Sequence, residues 1–219
     1  MKFIRLCFRG PLQSWGERSR WDSRDTAAMP TKSGVIGMIG CCMGIPRGDG
    51  RLQKLNEALH IAVRADQPGR VMTDFHTVQA PDGQRILNAE GKPRGETILT
   101  PKQYLQEAVF TVLIWGEAEA MDQAYHAFMH PVWTPYLGRR SCVPSVPLIP
   151  DIIEAETVDE AIAIGADHPA MVEIEQLPDD VLRSDEHLIH RPDSVVNASL
   201  NVYRLRSVRA STLQMSWEG

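Results

Sequence analysis

Hydrophobic and polar positions alternate from the first residues. Between Lys2 and Arg9, the side chains of Ile4, Leu6 and Phe8 share one side, the two-residue period of a half-buried strand. Gly10-Pro11 ends it in a turn, and Leu12 to Arg24 keeps neither a helical nor a strand period. The spacing of Val35, Met38, Ile39 and Cys42 then predicts one apolar face of a helix, with Thr31 as its N-cap. Gly34, Gly37, Gly40 and Gly44 recur at three or four, which predicts a helix backbone lying close against a sheet. Leu52, Leu55 and Leu59 predict a second, short helical segment.

His60–Asp66 and Val71–Val78 read as strands, the first with Ile61, Val63 and Ala65 inward. Ala80–Gly95 is polar and turn-rich, too long for an idle connection, and predicts a projecting loop or hairpin. Ile98–Tyr104 and Ala108–Trp115 follow as strands, the second so continuously apolar that it belongs in the middle of a sheet. Glu117–His130 is amphipathic, with acids at its start and His126 and His130 at its end, as a helix dipole favours. Later segments predict a helix near Val158–Ile164 and strands near Ala170–Glu175 and Ser199–Arg209. Strand, helix, strand, strand, helix is the order of a ferredoxin-like unit, the type to which RNA-recognition (RRM-like) folds belong, so an α+β fold is expected. The expected division is a ferredoxin-like domain over 1–146 and an acidic, β-rich appendage over 147–219 packed on it.

Composition narrows the class. A chain of 219 residues that is 43% hydrophobic can bury a substantial core. It has no run of eighteen apolar residues, and its N-terminus moves straight into the first strand; a soluble cytoplasmic protein without membrane contact is expected. Cys7, Cys41, Cys42 and Cys142 are too irregularly spaced for a disulfide framework or zinc knuckle, so no metal and no cofactor is expected. The net charge of −5 conceals an asymmetry: residues 1–50 carry +4 and residues 150–219 carry −9. Asp151 to Leu182 holds ten acids and no Lys or Arg, which reads as a solvated face. A basic front and an acidic back fit a protein that touches nucleic acid on one side.

The candidate chemistry lies mostly in that front and in one later loop. In Thr134-Pro135-Tyr136-Leu137-Gly138-Arg139-Arg140-Ser141-Cys142-Val143-Pro144, two guanidiniums sit beside a glycine and a hydroxyl, the makings of a phosphate cradle. Gln13, Ser14 and Trp15 lead into Arg18, Arg20, Trp21 and Arg24, aromatic rings interleaved with arginines as single-stranded nucleic acid recognition uses them. Trp15, between Leu12 and Gly16, reads equally as a core anchor. Thr31, Lys32 and Ser33 open the glycine-rich helix and offer an anion site at its N-terminus. The order Lys-Ser-Gly is not a Walker A loop. His76 is the one histidine that stands out, and Lys92, Arg94 and Lys102 give the predicted hairpin a basic character.

Four of these segments, in order, carry a resemblance: Gly10-Pro11-Leu12-Gln13-Ser14-Trp15-Gly16; Pro30-Thr31-Lys32-Ser33-Gly34 with its helix; Asp74-Phe75-His76-Thr77-Val78; and Thr134 to Cys142. Together they resemble the CasD-type subunits of type I-E CRISPR Cascade complexes, within the RAMP superfamily. The resemblance implies a non-catalytic subunit that grips the 5′ handle of the guide RNA, caps a filament of CasC backbone subunits and contacts the large CasA subunit. It meets target DNA only indirectly. It also implies a thumb over roughly Ala80–Lys102 that displaces a guide base from pairing, with handle contacts in the Gln13–Arg24 and Arg139-Arg140-Ser141 loops. Relatives in the type I-C branch are endoribonucleases. That makes metal-independent cleavage of repeat RNA the rival reading, with His76 as base, Tyr104 or Tyr136 as auxiliary and Lys102 or Arg139 as the electrostatic partner. No dinucleotide fingerprint, metal cluster or nucleophile motif supports a metabolic enzyme.

Overall fold

The computed structural model describes residues 1–17, 24–81, 84–88, 90–95 and 97–214, with Arg94 through its backbone alone. The strands are β1 (Lys2–Arg9), β2 (Leu12–Gln13), β3 (Leu59–Gln67), β4 (Arg70–Gln79), β5 (Ile86–Leu87), β6 (Pro93–Gly95), β7 (Thr97–Gln106), β8 (Val109–Gly116), β9 (Asp151–Glu154), β10 (Ala170–Glu175), β11 (His187–Asn197) and β12 (Val202–Leu213). The helices are α1 (Lys32–Cys42), α2 (Arg51–Ala58), α3 (Ala118–Met129) and α4 (Val158–Ala163).

Seven strands form one antiparallel sheet in the order β11-β12-β10-β3-β8-β1-β9. The apolar run of β8 lies inside it, between β3 and β1, with Phe110, Val112, Leu113 and Ile114 all buried. Residues of α1, α2 and α3 pack on one face with Ile4, Leu6, Phe8, Ile61 and Val63. On the other face α4 contributes Ala161 and Ile162, which lie with Phe3, Leu113, Trp115, Val172 and Ile174. Both faces of the central strands are covered, so apolar area is removed from water on two sides.

The division expected near residue 146 does not match the pairing. β9 adds to β1 at one end of the sheet and β10 adds to β3 toward the other, so the later third of the chain flanks the earlier strands instead of forming an appendage. The acid-rich stretch is likewise not a uniformly solvated face. Glu175 is buried and meets Lys32 at 2.7 Å, Arg209 takes Asp159 at 3.3 Å, and Arg191 pairs with Glu173.

The expected hairpin is longer than Ala80–Lys102. Its arms are β4 and β7, paired from Arg70↔Gln106 to Gln79↔Thr97, and β5 and β6 pair near its tip. Asp74–Val78, expected in the body, therefore lies on this ribbon. The base of the ribbon is fastened by β2, which pairs with β7, and by Arg24, whose N–H donates to the Pro101 carbonyl at 3.0 Å.

The glycines of α1 pack differently from expectation. A Cβ at Gly34 would meet the Trp15 ring at 2.8 Å and one at Gly40 would meet Leu52 of α2 at 2.4 Å, so the close approaches are to a tryptophan and a helix. Gly37 faces open space.

Candidate nucleic-acid interface

Gly10-Pro11 turns the chain out of β1, and the next three residues build the floor of the site. Gln13 is buried; its Nε2 donates to the Phe8 and Ala108 carbonyls at 3.0 and 2.8 Å, and its Oε1 accepts from Trp15 Nε1 at 3.1 Å. Trp15 stacks on Phe8 with ring centroids 5.6 Å apart. Both are therefore core groups: Gln13 is internal, which corrects its assignment as an RNA contact, and Trp15 is the core anchor its neighbours suggested while also forming part of the trough floor between α1 and the loop after α3. Ser14 is held through its N–H to the Leu137 carbonyl at 3.0 Å and its hydroxyl to the Gln103 carbonyl at 3.2 Å.

The loop after α3 settles onto this floor. Gly138 has φ +87°, and a Cβ there would lie 1.7 Å from the Ser14 carbonyl oxygen, so only glycine fits. Leu137 is buried, and its N–H donates to the Cys142 carbonyl at 2.8 Å, closing the loop on itself.

The two arginines that follow Gly138 have different jobs. Arg139 donates to the carbonyls of Gln103 at 3.0 Å, Arg24 at 3.2 Å and Asp25 at 3.3 Å, and its guanidinium lies 4.7 Å from the Tyr104 ring centroid. It staples the loop to the base of the ribbon. Arg140 is exposed and lines an open trough of about 1010 Å³. Ser141 is exposed at the turn beyond it.

That trough runs between α1 and the loop. Its walls include Ser33, Gly37 and Cys41 of α1, with Trp133, Thr134, Pro135, Tyr136 and Gly138 opposite. Arg47 and Arg140 are its cations, and the described lining residues include no carboxylate. Burial pushes the Cys41 thiol up and the charge of Arg140 pulls it down, which places that guanidinium within electrostatic reach of the α1 wall. Exposed aromatic surface beside cations, without acids, is what single-stranded nucleic acid requires.

The N-terminus of α1 holds no free anion site. Thr31 is buried as the N-cap, its Oγ1 accepting from Gly34 N–H at 3.3 Å. The Lys32 N–H donates to Asp193 Oδ2 at 2.7 Å, so a carboxylate of β11 already occupies the helix end. The Lys32 ammonium is buried against Glu175 at 2.7 Å, and burial lowers its pKa even though Glu175 opposes the shift. Lys32 is thus structural, which corrects the expectation for it, and Thr31 serves as the cap while still lining the trough. Ser33 remains half-buried on the trough wall.

On one face of the ribbon, side chains far apart in sequence converge. His76 Nδ1 lies 3.2 Å from Lys102 Nζ, and His76 Nε2 lies 2.8 Å from Asp74 Oδ2 and 3.3 Å from the Tyr104 hydroxyl. The ammonium can only donate, so Nδ1 accepts and Nε2–H points toward Asp74. Lys92 is exposed and pairs with Glu90 at 3.3 Å. Arg18, Arg20, Trp21 and the Arg94 side chain lie outside the described residues. Among the described residues no group of three or more His, Cys, Asp or Glu side chains is placed to hold a metal, and no helix is long and apolar enough to cross a membrane.

Sequence reasoning missed Arg47, Trp133 and Tyr203. The first two stand in polar, proline-bordered stretches that could have flagged a surface site; Tyr203 sits in a strand whose trough position depends on remote packing.

The profile of the family CRISPR-associated protein (Cas_Cas5) matches residues 3–210. The chain belongs to this Cas5 family. It is 36% identical over 176 residues to the CRISPR system Cascade subunit CasD of Escherichia coli (strain K12), covering 73% of this chain and 75% of that protein. A chain solved as part of a CRISPR RNA-guided surveillance complex superimposes with a TM-score of 0.77 at 30% identity, covering 97% of this chain and 90% of that one. A Cas protein crystal structure gives 0.69 at 27% identity, with 97% and 95% covered. The CasD-type resemblance read from four short motifs thus extends to 73% of this Cas5-family chain, and the structural likeness to the surveillance-complex chain to 97%.

Proposed function

We propose that this Cas5-family protein is a non-catalytic RNA-binding subunit of a CRISPR Cascade complex. In this reading it holds the 5′ handle of the guide RNA, caps the CasC filament, contacts CasA and so supports RNA-guided recognition of foreign DNA in the cytoplasm. The observation that carries the reading is the carboxylate-free, aromatic-lined trough between α1 and the Gly138–Arg140 loop, with Arg140 at its wall. The names of the similar Cascade subunit and surveillance-complex chain support it. The order β9-β1-β8-β3, all antiparallel, supports a ferredoxin-like, RRM-like core that presents the trough. The β4–β7 ribbon is the thumb that displaces a guide base.

Reconstitution tests this. Complexes containing Arg140→Ala should retain less guide RNA as salt rises, and shortening 81–95 should disturb the pairing register of the guide. Unchanged RNA retention and unchanged register would overturn the assignment.

One observation favours a second reading. His76 and, of the alternatives the rival reading offers, Tyr104 with both Lys102 and Arg139 converge at the ribbon. In repeat cleavage a base would take the 2′-hydroxyl proton while the oxygen attacks phosphorus and the 5′-oxygen leaves. Both ring nitrogens of His76 are engaged by neighbours, which ranks binding above cleavage. Specific cutting of repeat RNA in EDTA, abolished by His76→Ala, would reverse that ranking.

A further inference from the structure

The trough has a third wall that neither motif nor charge pattern marks: the end of the β11–β12 hairpin, which contributes Val195, Ala198 and Tyr203. This end is held in place from two sides. Asn56 of α2, itself buried, donates through Nδ2 to Ser194 Oγ at 2.9 Å and accepts through Oδ1 from the Val195 N–H at 3.1 Å. Arg47 donates through Nε to the Ala198 carbonyl at 2.9 Å and through Nη2 to Asn201 Oδ1. A Cβ at Gly48, where φ is +96°, would fall 1.8 Å from Ser199 Oγ, so the hairpin end is seated directly on the backbone beside Arg47. Tyr203 pairs in register with Val195, which is buried, while Tyr203 itself is 37% exposed and lines the trough.

What this anchoring positions is an aromatic residue in a trough that also carries Arg47 and Arg140. We propose that Tyr203 is a base-stacking residue of the trough, receiving one unpaired nucleobase of single-stranded RNA, and that Arg47 is a positioning residue that holds the ring there. The proposal rests on the RNA-binding reading above and names a wall of that site. Stacking suits the role because every nucleobase has a π face, whereas the backbone is held by Arg140.

The test uses the full chain and single-stranded oligoribonucleotides of the cognate repeat, with the fluorescent base 2-aminopurine placed at successive positions. Binding to the unaltered protein should quench one position strongly. Tyr203→Ala should abolish that quench and weaken binding about tenfold, the equivalent of one stacked base; Tyr203→Phe, which keeps the ring, should preserve both and serves as the folding control. Arg47→Ala should reduce the quench at that position without changing the salt dependence. A salt slope shallower by about one would show Arg47 on a phosphate and overturn its positioning role. If the protein binds RNA and Arg140→Ala weakens it, but no position responds to Tyr203→Ala, the stacking proposal alone fails. If the protein binds no RNA, the proposal and the function it rests on both fail.

Discussion

Two regions of this protein carry similar chemistry in the sequence and opposite roles in the fold. At the start of α1, Lys32 follows a threonine and precedes a serine; in the loop after α3, Arg140 follows Arg139 and precedes Ser141. Each looks like a cation beside hydroxyls and glycine, ready for phosphate. The first is consumed internally, because Glu175 and Asp193 reach it from β10 and β11 and Arg206 pairs with the same Asp193 at 2.8 Å. The second faces a trough whose described lining has no acid to neutralise it. A cation becomes a binding group when the fold leaves it unpaired, and a residue count cannot say which cations those are.

The largest effect should come from breaking the buried side of this contrast. Lys32→Ala leaves the buried Glu175 carboxylate short of its closest cation and should cost roughly 3–5 kcal/mol in chemical denaturation. Replacing Lys32 and Glu175 together by apolar residues should recover most of that loss; no recovery would show that the pair is not the source.

Gly138→Ala comes next. The strained φ and the collision with Ser14 should cost about 3 kcal/mol and deform the trough, so both unfolding midpoint and RNA affinity should fall. Arg139→Ala should follow at about 1.5–3 kcal/mol, since it removes charge-assisted hydrogen bonds between loop and ribbon. The paired arginines are thus separable, contrary to their equivalence in the sequence. An unaltered unfolding midpoint in Arg139→Ala would remove the distinction between staple and ligand group.

Acid sharpens the comparison through the Glu175 carboxylate. Burial pushes the Glu175 carboxyl up, but His60, Lys32 and Arg206 together hold it below its ordinary 4.5. Its folded value is depressed, so its contribution is fully present above pH 4.5 and is lost as pH falls through the depressed value. Stability of the unaltered protein should drop over that window more steeply than that of Glu175→Gln, as followed by urea titrations at successive pH values. Parallel curves would assign the acid sensitivity elsewhere.

The smallest effect on stability, and the most specific on function, belongs to Arg140→Ala. It should change unfolding by less than about 0.5 kcal/mol while lowering the salt slope of RNA binding by about one.

Strands and helices were legible wherever the period was strong and locally determined. β1 and β10 lie where alternation placed them, α3 falls within Glu117–His130, and Thr31 caps α1 as its position suggested. The far end of the ribbon was legible as a polar excursion, whereas its arms read as body strands because a ribbon and a sheet share the same period of two. The family was legible through the order of its motifs. Of the candidate site residues, the fold leaves Arg140, Ser33, His76 and Lys102 on the surface or the trough wall, draws Gln13 and Lys32 inside, and gives Trp15 and Thr31 both a buried packing role and a place in the trough lining.

The sequence by itself determined which segments bury one face, where the chain must turn at glycine, and that cations crowd its earlier part. Only the tertiary structure decided which of those cations stay available and which strands flank the first ones. The physical reason is distance along the chain: Lys32 and Glu175 are 143 residues apart, and Arg47 is 151 from the carbonyl it grips. Pairings across such separations are set by how sheet edges and helix ends come together, information that no local pattern carries.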